Sequence, residues 1–325
     1  MKQMTMIQAL QQAMDGLLQS DGGVVILGED VGKNGGVFRA TDHLQEKYGE
    51  PRVIDTPLAE SGIIATATGL ALNGMKPLAE IQFLGFIYPA YDQMMTHVSR
   101  IRSRTLSKYT VPLVIRAPYG GGVRAPEIHS DSTEALFTHM PGLKVVVPST
   151  PYEAKGLLIA AMQDPDPVLF LEPIRSYRST RGEVPEEMYE VPLGEPALRR
   201  EGDDVTLIGW GAMMPILLEA AERLAEEAIQ CEVIDVRTLY PFEPELIIQS
   251  VKKTSRAVVV HEAQLTSGFG AEISSQIQEE AFLYLRSPVA RVASYDVPYP
   301  FFAMEQDYLP SVDKVMQAVR ETMTY

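Results

Sequence analysis

Short apolar, β-rich runs alternate with helix-period segments along most of the chain, and few architectures accommodate that alternation. Val24–Gly28, Val53–Asp55, Pro77–Gln82, Leu113–Ala117, Lys144–Pro148 and Val168–Leu171 read as strands. Residues 61–72, 90–104, 132–139 and 152–162 read as the helices between them. Strands that are apolar on both faces and separated by helices predict a mainly parallel sheet covered on both sides. From Pro173 to Asp204 the rhythm lapses into a stretch dense in Pro, Arg, Glu and Gly. Strand patterns then resume at 205–210, 231–236, 257–261 and 289–293, with helices expected at 215–228, 244–253 and 270–285. The expectation is an α/β chain of two domains, residues 1–180 and 205–325, joined by a linker over 181–204.

A length of 325 residues accommodates two domains of roughly 150 residues each. The formal net charge of -15 points away from nucleic acid and anionic membrane as partners and suits a basic protein partner. Cys231 is the single cysteine, so no internal disulfide can form, and a reducing, cytoplasmic setting is expected. The opening MKQMTMIQALQQAMDGLL carries polar residues at helical spacing and reads as an amphipathic first helix rather than a leader. No apolar run approaches the roughly 18 residues that a membrane span needs.

In open parallel sheets, ligands bind where loops leave the carboxyl ends of strands. Four such loops are chemically loaded: Glu29-Asp30, Thr56–Gly62, Gln82–Phe86 and Pro118–Gly122, the last followed by His129. On the expected sheet they would share one edge. Each has a bland reading beside the functional one. Thr56-Pro57 resembles a helix N-cap, which makes Glu60 a first-turn carboxylate favoured by the helix dipole. The small residues after it, Ser61 to Gly69, also suit close burial, which would raise its pKa and let it share a proton with a ligand nitrogen. Gly120–Gly122 can cradle a phosphate through backbone amides or simply form a tight loop. His129 can cap a turn or transfer protons. The aromatic group Phe83, Phe86, Tyr88 and Tyr91 suits a core, with one ring able to face a flat heterocycle. No His, Cys, Asp or Glu set has zinc-site spacing, and no Gly-x-Gly-x-x-Gly follows the first strand.

The blocks GEDVGKNGGVFRAT, RVIDTPLAESGI, KPLAEIQFLGF, RAPYGGGV, EIHSDS and PGLKVVVPSTPYEAKGLL, in this order along essentially the whole chain, resemble the β subunits of two-component 2-oxo acid dehydrogenases. These are the thiamin-diphosphate-dependent decarboxylase components of the pyruvate and branched-chain complexes. The resemblance implies a transketolase-like pyrimidine-binding domain followed by a transketolase C-terminal-type domain. It also implies an α subunit that completes the site, in an assembly of two α and two β chains on a dihydrolipoyl acyltransferase core. The Gly-Asp-Gly motif with which such enzymes hold the diphosphate and its magnesium is missing from this chain, which fits a half-site whose other half lies on α.

Carried over by motif, Glu60 resembles the carboxylate that hydrogen-bonds the aminopyrimidine ring and exchanges a proton with it. Glu29, Leu58, Ala59 and Gln82 match positions lining the pyrimidine end. Phe86 matches an aromatic position beside ring and substrate, with Ile87, Tyr88 and Pro89 following. His129 resembles the histidine that positions the 2-oxo acid and serves proton transfer as the acyl group passes to lipoyl. Some relatives carry a second histidine where Ile128 stands here. Leu113, Ala161, Asp164 and Asp166 resemble a structural potassium site. EIHSDS and Phe-Leu-Gly-Phe favour pyruvate as substrate, with branched-chain 2-oxo acids and a non-catalytic assembly subunit as the alternatives.

Overall fold

The computed structural model describes residues Met1–Tyr325. They form two compact units, one of Met1–Tyr119 and Leu136–Leu193, the other of Gly120–Ala135 and Gly194–Tyr325. The first unit carries strands β1 (Lys2–Thr5), β2 (Val24–Gly28), β3 (Val53–Asp55), β4 (Lys76–Glu80), β5 (Val114–Tyr119), β6 (Lys144–Val146), β7 (Val168–Pro173) and β8 (Arg181–Val184). Its main sheet runs β6-β7-β5-β4-β2-β3, every neighbour pair parallel. β2, β5 and β7 are buried along their whole length, as the mostly apolar runs require of a sheet covered on both faces. Two helices supply part of that cover. Met6–Ser20 buries Met6, Leu10, Ala13, Met14 and Leu17 at helical spacing and starts with a capping box between Thr5 and Gln8. Pro151–Gln163 begins at a Thr150 cap with proline at its first position and is buried nearly all round.

The second unit holds β9 (Ala197–Arg200), β10 (Val205–Gly209), β11 (Cys231–Asp235), β12 (Thr238–Tyr240), β13 (Ala257–Gln264) and β14 (Ala290–Ser294). Five of these strands form a sheet ordered β14-β13-β10-β11-β9, parallel except for the antiparallel edge strand β9. The helix Met213–Ala225 and the C-terminal helix Val312–Thr322 bury Leu217, Ala221, Val315 and Val319 in its apolar core.

The segment expected as a linker is not featureless. Arg181–Val184 pairs antiparallel with β1, and Ala197–Arg200 pairs with β11. Both are four-residue strands whose pairing is long-range, so no local periodicity announces them. The helix expected over 90–104 is broken into short pieces, with a π turn at Met94–Val98 closed by Ser99 N donating to Met94 O at 3.1 Å. No helix is long and apolar enough to cross a membrane.

Candidate functional site

In the first unit's sheet the chain leaves β2 toward β3 on one side, whereas β4 lies on the other side of β2. Such a reversal, beyond the carboxyl ends of β2 and β4, is where open parallel sheets bind ligands. Glu29 follows β2, Thr56–Glu60 follow β3, and Gln82–Phe86 follow β4. Thr56 stays extended, its N–H donating to Gly28 O at 2.9 Å. The helix therefore starts at Glu60, with Ala59 as a cap that offers no side-chain bond, and the expected Thr56-Pro57 cap is not formed. An uncapped helix start leaves amide donors in need of negative charge, and the half-buried Glu60 carboxylate sits at that position.

Glu29 is the carboxyl that this environment perturbs. Burial pushes its pKa up, and the charges of Asp30 and then Glu60 add to the effect. Two carboxylates within Coulombic range, one driven toward its protonated form, can hold and pass a proton. The loop that presents Glu29 is pinned from β3: Asp55 accepts from Gly32 N at 2.6 Å and Lys33 N at 3.0 Å. Gly32 admits no side chain, because a Cβ there would lie 2.1 Å from Gln45 Nε2.

The remaining residues of the first unit fall at three depths. Leu58 is 72% exposed, and Ala59, Tyr88 and Pro89 are also exposed. Gln82 and Phe86 are half-buried, Phe86 meeting Phe83 edge-to-face at 5.3 Å. Ile87 is fully buried and supports this surface from beneath. The Ser61 hydroxyl donates to Pro89 O, tying the start of the Glu60 helix to the turn that carries Tyr88.

Leu113, Asp164 and Asp166 meet at the start of β7. Leu113 O accepts from Val168 N at 2.9 Å, Asp164 N donates to Ala161 O at 3.3 Å, and Asp164 Oδ1 accepts from Asp166 N at 2.9 Å. Both carboxylates already carry a cation, Lys144 on Asp164 and Arg102 on Asp166. Ionised oxygens are thus spoken for, and main-chain oxygens are what the cluster retains for potassium. Nowhere do three or more His, Cys, Asp or Glu side chains form a group that could hold a metal ion.

His129 belongs to the second unit, in a one-turn helix at Glu127–His129, and is half-buried. The glycine triplet ahead of it is not an open phosphate cradle. Gly121 N donates to Glu262 Oε1 at 2.5 Å, and Gly122 N donates to the Tyr299 hydroxyl at 3.2 Å. Amides already bonded to buried side chains are not available to an anion.

Sequence reasoning missed two groups of buried charge. In the first unit, Arg116 of β5 donates to Glu172 of β7 through Nε at 2.6 Å and Nη2 at 2.8 Å, and to Glu80 of β4 through Nη1 at 2.5 Å. Burial raises the Glu80 pKa against the pull of Arg116. In the second unit, Glu262 and Glu305 are 5% and 2% exposed. The available signal was a charge inside an apolar strand, as in KPLAEIQF, VIRAPY, VLFLEP and VVVHEAQ.

Residues 2–180 match the family described as the transketolase pyrimidine binding domain, and residues 194–315 match the transketolase C-terminal domain. The chain is 50% identical over 325 residues to the pyruvate dehydrogenase E1 component subunit beta of Bacillus subtilis, covering 100% of both chains. It is 48% identical to the protein of the same description from Staphylococcus epidermidis, again over 100% of both. The corresponding protein of Acholeplasma laidlawii is 47% identical over 98% of this chain and 97% of that one. Among solved structures, a split-gene transketolase described as an inactive β4 tetramer superposes with a TM-score of 0.81 at 24% identity, over 99% of this chain and 98% of that one. That likeness is one of fold.

Proposed function

This chain belongs to the family of pyruvate dehydrogenase E1 component β subunits, and from that premise we propose that it is the pyrimidine-side half of the decarboxylating component of a pyruvate dehydrogenase complex. With an α subunit it decarboxylates pyruvate and passes the acyl group to a lipoyl group carried by an acyltransferase core. The observation that supports this reading most is the convergence of the loops that carry Glu29, Leu58 to Glu60 and Gln82 to Phe86 at the reversal point of the first sheet. Acidic groups flanked by apolar and aromatic surface suit a flat, nitrogen-rich ring such as an aminopyrimidine.

Thiamin diphosphate, when bound, supplies the electron sink that a 2-oxo acid needs in order to lose carbon dioxide. In this proposal Glu60 hydrogen-bonds the ring nitrogen and exchanges a proton with it. Glu29, whose pKa burial pushes up, lines the pyrimidine end beside Glu60. Gln82 and Phe86 orient the ring, and Leu58 and Ala59 exclude water once covered. His129 positions the 2-oxo acid and serves proton transfer to the lipoyl acceptor. The diphosphate and magnesium are assigned to α, since the Gly121 and Gly122 amides are occupied and Gly-Asp-Gly is lacking. Potassium is assigned to main-chain oxygens of Leu113, Ala161, Asp164 and Asp166.

Glu60→Gln in the assembled α–β enzyme should lower pyruvate decarboxylation by roughly 10²–10⁴-fold, the usual weight of a positioned acid or base. Association with α should be unchanged. The assay, run with pyruvate and 3-methyl-2-oxobutanoate in potassium and in sodium buffer, also reads substrate and cation. Retained activity in this variant would refute the role of Glu60, a preference for the branched acid would refute pyruvate, and equal rates and melting temperatures in both buffers would refute potassium.

A further inference from the structure

The loop that carries His129 is held by carboxylates with no assigned role. Gly120 N donates to Asp131 O at 3.0 Å, which closes the neck of the loop and brings its two ends together. A single oxygen, Glu262 Oε1, then bonds both ends, accepting from Gly121 N at 2.5 Å and from the Ser132 hydroxyl at 3.0 Å. A second grip lies beside it. Glu305 Oε2 accepts from Arg124 N at 3.0 Å and from the Tyr299 hydroxyl at 2.8 Å, and Tyr299 in turn accepts from Gly122 N. Glu262, Glu305, Tyr299 and Ser132 are all buried, whereas Val123 and Ile128 of the same loop are each 41% exposed.

The glycines are matched to this arrangement. A Cβ on Gly120 would lie 2.7 Å from Glu262 Oε1, and one on Gly121 would lie 1.9 Å from the Tyr299 hydroxyl. Gly120 and Gly122 both have φ of +85°, where a side chain is strained in any case. Glu262 also sits near the carboxyl end of β13, where the second sheet would itself bind a ligand or a loop. The chain leaves β10 for β11 on one side while β13, which carries Glu262, lies on the other. The loop thus docks at a reversal point and is fastened there at its two ends, leaving Val123 and Ile128 exposed and His129, half-buried, three residues from the Ser132 fastening.

We propose that Glu262, backed by Tyr299 and Glu305, is a positioning residue for His129: it fixes the geometry of the loop rather than touching substrate or cofactor. This rests on the reading of His129 as the residue that serves acyl transfer. A catalytic side chain displaced by about 1 Å can cost on the order of 10²-fold in rate, so loosening the loop should reproduce the His129 defect in weaker form.

The test uses the assembled α–β enzyme with a lipoyl domain as acceptor. Two rates are compared: decarboxylation coupled to an artificial electron acceptor, and acyl transfer to lipoyl. Glu262→Ala should shift the ratio of the two rates in the same direction as His129→Ala, by about tenfold or more. Glu262→Gln, which keeps an oxygen acceptor in place, should shift it less. The double variant Glu262→Ala/His129→Ala should be no worse than His129→Ala alone, because both act through one group. Losses that multiply in the double variant, or an unchanged ratio in Glu262→Ala, would overturn the proposal. Amide hydrogen exchange gives a readout independent of His129. Gly121, Gly122 and Arg124 should be protected in the wild type and exchange at least tenfold faster in Glu262→Ala. If His129→Ala leaves both rates unchanged, the reading of His129 fails and exchange alone decides whether Glu262 holds the loop. Unprotected amides in the wild type would refute the proposal outright.

Discussion

Glu134 is fully buried, and neither of its carboxyl oxygens meets a partner in hydrogen-bonding geometry. Burial pushes its pKa up to about 8 from 4.5, opposed by weaker interactions with its own backbone N–H and the Trp210 indole, while the nearby Glu262 charge adds to the shift. The folded chain therefore keeps a proton that the unfolded chain releases near pH 4.5. The contribution of Glu134 to stability should fall as pH rises from about 4.5 to about 8 and level off above that, because its folded form binds the extra proton throughout the window. Glu134→Gln should remove that slope and leave the variant more stable than the parent at pH 8. Melting temperature measured against pH for the two chains checks this, and parallel profiles would contradict it. His261 contributes the opposite slope at lower pH. Stacked on Trp210 with ring centroids 5.7 Å apart, it has its pKa pushed down to about 4 by burial, so its contribution to stability is lost as pH falls from about 6.5 toward 4.

At the scale of elements, Arg116 joins three neighbouring strands. Its guanidinium binds Glu172 of β7 in a fork and Glu80 of β4 from the other side, and Tyr177 donates its hydroxyl to Glu172. One buried cation between two carboxylates is costly to desolvate, and removing it is costlier still, since two acids are then left without a counter-charge. Arg116→Met should destabilise the chain by about 3–5 kcal/mol in a denaturant titration, the cost typical of breaking a buried pair. A loss under about 1 kcal/mol would show that both acids are protonated and need no cation. These strands were legible in the sequence, since β2 is an unbroken apolar run and β5 and β7 are mostly apolar runs bounded by turns. The charges inside them were legible too, though their pairing was not, because it depends on register: Glu80 lies opposite Arg116 across β4 and β5. The helix read at 61–72 is observed to start at Glu60, while the cap that the composition of Thr56-Pro57 suggested is not formed, because Thr56 is spent on the β2–β3 ladder. Strands β8 and β9 were hidden because four residues paired at long range leave no period of their own.

For the whole molecule, the sequence announced the fold class and, through the family resemblance, the expectation of a partner subunit. Alternating strands and helices led to two sheet-and-helix units, and the lack of Gly-Asp-Gly pointed to a missing half. What could not be read was that residues 120–135 leave the first unit and return to it. That excursion is set by Glu262, Tyr299 and Glu305, which lie about 130 to 180 residues further along the chain. The central claim is that this chain carries the pyrimidine side of a site and nothing that holds the diphosphate. The most direct measurement is turnover of pyruvate, with thiamin diphosphate and magnesium present, by the purified chain alone and by the same chain reconstituted with its α subunit. The account predicts no turnover alone and full turnover on reconstitution; a chain that decarboxylates pyruvate unaided would contradict it.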